Sequence, residues 1–136
     1  MNSSKRQAVD TGTRWEQLAG YSRAVRVGDR ILVSGTTATG PDGQPVGGDN
    51  PEAQAHYILD KIESAIVQLG GQMDDVARTR IYVSDMAHWE PVARAHGERF
   101  ASIRPVNTLV QARLVGDDYL VEIEAEAVVP SQSAVE

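Results

Sequence analysis

The chain has 136 residues, with 13 Lys+Arg against 19 Asp+Glu for a net charge of −6, and no cysteine. That length suits a single domain with a real core; the missing cysteines exclude disulfides, thiolate metal sites and cysteine nucleophiles; and an acidic balance without a basic run argues against phosphate-driven nucleic-acid binding. No apolar run is long enough to span a bilayer and the opening stretch MNSSKRQAVDTGTRW lacks a leader's apolar segment, so the expectation is a cytoplasmic protein with no membrane partner.

Residues 1–18 are polar and without periodicity, which reads as a loosely attached N-terminal arm preceding one domain over 19–130, with 131–136 as a C-terminal tail. Arg23–Val27 and Arg30–Ser34 are short β-branched runs joined by Gly28-Asp29, and glycine at the first central position suits a type II′ turn, so a hairpin is expected. GTTATGPDGQPVGGDN (35–50) has loop composition, and it lacks the lysine of a phosphate-cradling loop. Asn50 caps a helix opening at Pro51, in which Ala55, Ile58, Ile62, Ala65, Ile66 and Leu69 recur at helical spacing until Gly70-Gly71 stops it.

Val76–Ser84 alternates again, with Thr79, Ile81 and Val83 on one face and Arg78, Arg80 and Tyr82 on the other. Trp89, Val92, Ala93, His96 and Phe100 line one side of a second helix with Pro91 in its first turn. Leu109–Leu114 and Leu120–Val129 read as strands separated by Gly116-Asp117-Asp118, and a second hairpin is expected from them. In the last strand Val121, Ile123, Ala125, Ala127 and Val129 share one face, while Glu122, Glu124 and Glu126 share the other as a ladder of carboxylates. The resulting order is ββαβαββ, an α+β fold with a single mixed sheet and two helices on one face. Such a sheet leaves its other face for a partner to cover.

The chemistry-bearing residues are few. His56, His88 and His96 form no i, i+4 pair, so no metal site is expected, and His96 on the apolar side of its helix reads as a satisfied core histidine. No nucleophile-elbow sequence supports a serine triad. Lys5 lies in the polar arm and Lys61 on the polar side of a helix, so neither is expected to have a lowered pKa or to form a Schiff base. The plain reading of the glutamate ladder is a solvated or arginine-paired face.

Several stretches in the right order resemble the YjgF/Rid, or reactive intermediate deaminase, family, formerly called endoribonuclease L-PSP. They are GYSRAVRVGDRILVSGTTA, the helix after Asn50-Pro51, DVARTRIYVSDMAHW, RPVNTLV and VEIEAEAV, which together run from about Ala19 to Val129. The resemblance implies a chorismate-mutase-like fold and a homotrimer with clefts between subunits. It also implies a cofactor-independent hydrolysis of enamines or imines derived from amino acids, giving a 2-keto acid and ammonia. Tyr21, Ser34, Gly35 and Glu122 match positions that line the family's cleft, with Glu122 the candidate for positioning water and Tyr21 its catalytic companion.

One departure stands out. Deaminating members carry an arginine two residues after the proline of RPxR, where a planar guanidinium binds the substrate carboxylate bidentately. Here that position is Asn107, followed by Thr108, and a one-residue offset makes Val106 the alternative equivalent. Asn107 and Thr108 are therefore expected as substrate-binding residues of reduced strength, with Arg23 or Arg113 as substitute cations. Two functions remain open from the sequence: a deaminase of the arginine-lacking kind, or a non-catalytic small-molecule-binding or regulatory trimer. Endoribonuclease action is disfavoured by the charge.

Overall fold

A computed structural model describes residues 5–130; the expected tail at 131–136 lies outside the described residues. One six-stranded sheet carries the chain, with strands in the order β1-β2-β3-β6-β4-β5. The strands are β1 (Arg6–Val9), β2 (Ala24–Val27), β3 (Arg30–Thr37), β4 (Val76–Val83), β5 (Val106–Gln111) and β6 (Val121–Val128), and the helices are α1 (Arg14–Ala19), α2 (Pro51–Gln68) and α3 (Trp89–Phe100). From β2 onward this is the expected ββαβαββ order. No helix among the described residues is long and apolar enough to cross a membrane.

The β2–β3 hairpin closes as the sequence indicates, with Val27 opposite Arg30 and Gly28 at φ 62, a left-handed conformation that glycine adopts without a Cβ clash. Asn50 caps α2 by accepting from the Ala53 amide at 3.0 Å. The helix then lays Ile58, Leu59, Ile62 and Ile66, all fully buried, against Ile31, Ile81, Val121 and Ile123 of the sheet. Burying each such side chain contributes about 1.5–3 kcal/mol before entropy is counted, so this isoleucine-rich layer is the main source of stability. Beside it α3 buries Val92, Ala95 and Phe100, while Trp89, expected inside, stands exposed.

The expected C-terminal hairpin does not form. β5 pairs in parallel with β4, with Thr79 opposite Asn107, and β6 lies between β3 and β4, antiparallel to both. Parallel neighbours need a crossover, and α3 supplies it. Alternation reveals which residues share a face but is silent about which strand lies alongside. The central place goes to β6 because its apolar face meets α2 while Glu124 and Glu126 meet Arg80 of β4. The less apolar β5, displaced three residues towards the N-terminus from its expected start, takes the edge.

The N-terminal segment also departs from expectation. Instead of a loose arm, β1 pairs with β2, placing Ala8 opposite Val25, and α1 is capped by the Thr13 side chain and sends Glu16 into the interior. This segment builds one wall of the site.

Candidate functional site

β3 changes phase in mid-strand. Val33 faces Ala125 and Thr36 faces Ile123, so Ser34 and Gly35 together oppose the single residue Glu124 in a β-bulge. The Ser34 hydroxyl donates to the Ser22 carbonyl at 2.7 Å and its amide to the Arg23 carbonyl at 2.8 Å, which ties the bulge to the start of β2. Gly35 leaves room for Glu122: a Cβ there would overlap its Oε2 and force the carboxylate to move.

Arg23 is buried beneath the bulge. Its Nε and Nη2 donate to Glu16 Oε2 at 3.2 and 3.0 Å, and its Nη1 to the Gly35 carbonyl at 2.6 Å and Thr36 Oγ1 at 3.2 Å. Glu16 also accepts from the Thr11 amide at 3.0 Å, the Thr11 hydroxyl at 2.6 Å and the Gly12 amide at 3.2 Å. Burial pushes the Glu16 carboxyl up, but the hydrogen bonds from Thr11 and Arg23 and the Arg23 charge outweigh it and leave its pKa at about 2. The expected substitute cation is thus committed within the protein: every nitrogen of the Arg23 guanidinium already has an acceptor.

The glutamate ladder divides. Glu124 accepts from Tyr82 Oη at 2.7 Å and Arg80 Nη1 at 2.9 Å, and Glu126 from the same Arg80 nitrogen at 3.3 Å. These two follow the plain, arginine-paired reading. Glu122 has no hydrogen-bond partner for its carboxylate among the described residues. Burial raises its pKa, against the lowering effect of Arg23 and with a further rise from Glu124. It faces a pocket of about 250 Å³ walled by Trp15 and Tyr21, floored by Gly35 and Glu122, and reached from α2 by Lys61.

Lys61 corrects the sequence reading. It is partly buried, donates to the Thr39 carbonyl at 3.0 Å and towards that of Thr37 at 3.5 Å, and has its pKa lowered to about 8 by burial and then by Arg23, against an opposing effect of Glu16. Lys61 follows Gln54 by seven residues, two helical turns, and so shares a face of α2 with this glutamine, whose full burial only the structure reveals. Trp15 and Thr13 were missed because they belong to the stretch read as an arm.

Of the expected site residues, Tyr21, Arg23, Gly35 and Glu122 come together at this pocket. Tyr21 is partly exposed, its ring lying 5.7 Å from the Arg23 guanidinium carbon. Ser34 supports the bulge from a shallower depression behind it. Asn107 does not join them. Because Asn107 is opposite Thr79, it points to the helix side of the sheet, where its Nδ2 donates to Thr79 Oγ1 at 2.9 Å, and that hydroxyl meets His96 Nε2 at 2.8 Å. Val106 and Thr108 do face the glutamate side, opposite Arg78 and Arg80, but on an edge strand two strands away from Glu122. Within one chain, the RPVNT segment therefore brings no side chain to the pocket. His96 packs on Phe100 at 4.6 Å between ring centroids, and burial lowers its pKa, as suits a core histidine.

Two other features lie apart from Glu122. A depression of about 570 Å³ on the loop side of Trp15 contains neither Glu122 nor Lys61. Glu52, His56 and Glu98 bring one ligand atom each within 4.8 Å, but His56 is already in ion-pair range of both carboxylates and none of the three lines the pocket.

With this geometry in hand, comparison with known proteins is decisive. The family model described as Endoribonuclease L-PSP matches residues 11–129. The crystal structure of Rv2704 from Mycobacterium tuberculosis, a member of the YjgF/YER057c/UK114 family, superposes with a TM-score of 0.83 at 42% identity, covering 92% of this chain and 100% of that one. The chain belongs to the YjgF/Rid family. The Streptomyces coelicolor protein SCO2049 is 36% identical over 128 residues, 93% of this chain and 95% of its own length. A RutC family protein of Pyrococcus abyssi is 29% identical over 108 residues, 79% of this chain and 84% of its own. The match to the family model begins at residue 11, so Glu16, Trp15 and the rest of α1 fall inside the family's span.

Proposed function

We propose that this YjgF/Rid protein is a cofactor-independent enamine/imine deaminase that works as a homotrimer. The observation that carries this reading is Glu122, a desolvated carboxylate without a hydrogen-bond partner among the described residues, facing a small pocket while its two ladder neighbours are tied to Arg80 and Tyr82. Protonation of an enamine at carbon by a solvent proton gives the iminium ion, the protonated form of the imine. Water, held by Glu122, then adds to the imine carbon as the carboxylate takes its proton. That proton passes to the nitrogen of the tetrahedral adduct, and as the hydroxyl gives its own proton back to Glu122 the C–N bond breaks, ammonia leaves and a carbonyl compound remains. Tyr21 borders the same space and serves as a hydroxyl for orienting the nitrogen or the water.

The test supplies imines generated in situ from several amino acids and follows keto acid and ammonia. Decay faster than the spontaneous rate is expected; decay at the spontaneous rate for every imine would defeat the reading. A non-catalytic binding trimer is the alternative, and the placement of Asn107 favours it, because within one chain its side chain is spent on Thr79 on the helix side of the sheet. The net charge of −6 works against RNA as substrate.

Assembly is motivated by the sheet face opposite the helices. Leu32, Val110 and Val128, each exposed by about 40%, lie on that face with Val106 at 58%. A soluble monomer seldom leaves so many apolar strand residues open on one face. Sedimentation at micromolar concentration should show a trimer, and a concentration-independent monomer would refute it.

A further inference from the structure

The pocket contains two cations of unequal availability. Arg23 uses all its nitrogens on Glu16, the Gly35 carbonyl and Thr36. Lys61 has three ammonium donors and spends two of them, one only weakly, on the carbonyls of Thr39 and Thr37. Its remaining donor has no acceptor among the described residues, whereas each nitrogen of the 3%-exposed Arg23 is already held by one. Both carbonyls belong to the end of β3 and the turn after it, just past the bulge that accommodates Glu122, so one stretch of chain fixes the ammonium and the carboxylate relative to each other. Trp15, Ala19 and Val115 form the apolar part of the wall, and the volume of about 250 Å³ leaves little room.

We propose that Lys61 is the anion anchor of this pocket, taking the carboxylate of a small 2-imino or 2-oxo acid with a short apolar side chain while Glu122 faces its reactive carbon. The inference rests on the deaminase reading for the identity of the reacting carbon, but the binding role of Lys61 stands or falls by itself. A partly desolvated ammonium gains more from an anion than a solvated one, because water competes less for it. The lowered pKa of Lys61 is the cost of that burial before a ligand arrives.

The experiment compares binding of pyruvate and of its neutral amide, pyruvamide, by calorimetry or ligand-observed NMR, in wild type, Lys61→Met and Lys61→Arg. Methionine keeps an unbranched stem and removes the charge; arginine keeps the charge. Wild type should prefer pyruvate. Lys61→Met should lose on the order of tenfold to a hundredfold in pyruvate affinity and little for pyruvamide, the loss expected for a charged hydrogen bond, and Lys61→Arg should retain much of the preference. The inference is overturned if wild type shows no preference for the carboxylate, if Lys61→Met keeps it, or if that variant loses both ligands equally. If binding behaves as expected but imines decay at the spontaneous rate, the deaminase reading fails and the anchor remains.

Discussion

Glu122→Gln should reduce imine hydrolysis by about 10²–10⁴-fold, the usual contribution of a positioned acid–base group, while the state of assembly stays unchanged. The isosteric amide still fills the space beside Gly35 but cannot take a proton from water. Glu124→Ala is the informative control. It breaks the contacts to Tyr82 and Arg80 instead and should leave most of the rate; equal loss from both variants would point to a general electrostatic effect. The working form of Glu122 is the carboxylate, so kcat/KM should fall with acidity through a pKa above the ordinary glutamate value. Folding favours the protonated form, so stability attributable to this group declines as pH rises from the unfolded pKa through the raised one. Glu122→Gln should therefore be no less stable than wild type at neutral pH. Lower stability together with lower activity would identify Glu122 as structural.

Glu16→Ala should cost about 3–5 kcal/mol in urea unfolding at fixed protein concentration, because it strands a buried guanidinium without its counter-charge. The pH dependence has the opposite sign to that of Glu122. Here the folded-state pKa, about 2, lies below the usual 4.5, so the stabilisation is complete above 4.5 and is lost as pH falls through about 2. A shift of this size corresponds to roughly 3 kcal/mol, consistent with the mutational figure. The variant should also lose ligand binding, since α1 carries Trp15 into the pocket wall. If unfolding shifts by under about 1 kcal/mol, an exposed-type ion pair is indicated and the arm is not held through Glu16.

Periodicity made much of this molecule legible. The alternation of β6 separated Val121, Ile123, Ala125 and Ala127 from the glutamates correctly, and the stripe from Ala55 to Leu69 located the buried face of α2. Three things were hidden for physical reasons. A strand's faces do not reveal its neighbours, so β5 was given to β6 when the crossover through α3 assigns it to β4. A glutamate in a polar stretch looks solvated, and only the distant partner Arg23 explains the burial of Glu16. Lys61 looked like a surface lysine because helical spacing says nothing of the Thr37 and Thr39 carbonyls folding over its ammonium. Asn107 was the reverse case: a side chain placed at the site by its position in a motif, turned to the other face by its register against Thr79.

The bulge in β3 means that the chain spends one residue more than the sheet can use. Inward-facing positions are odd before it, at Ile31 and Val33, and even after it, at Thr36 and Ala38. Deleting either Ser34 or Gly35 would let Thr36 follow Val33 at the ordinary two-residue interval, with the same side chains still pointing inward. What would go is the carbonyl held by Arg23 or the hydroxyl held by Ser22, together with the opening beside Glu122. The regular strand is thus one deletion away, sparing the hydrophobic interior and removing the floor of the pocket.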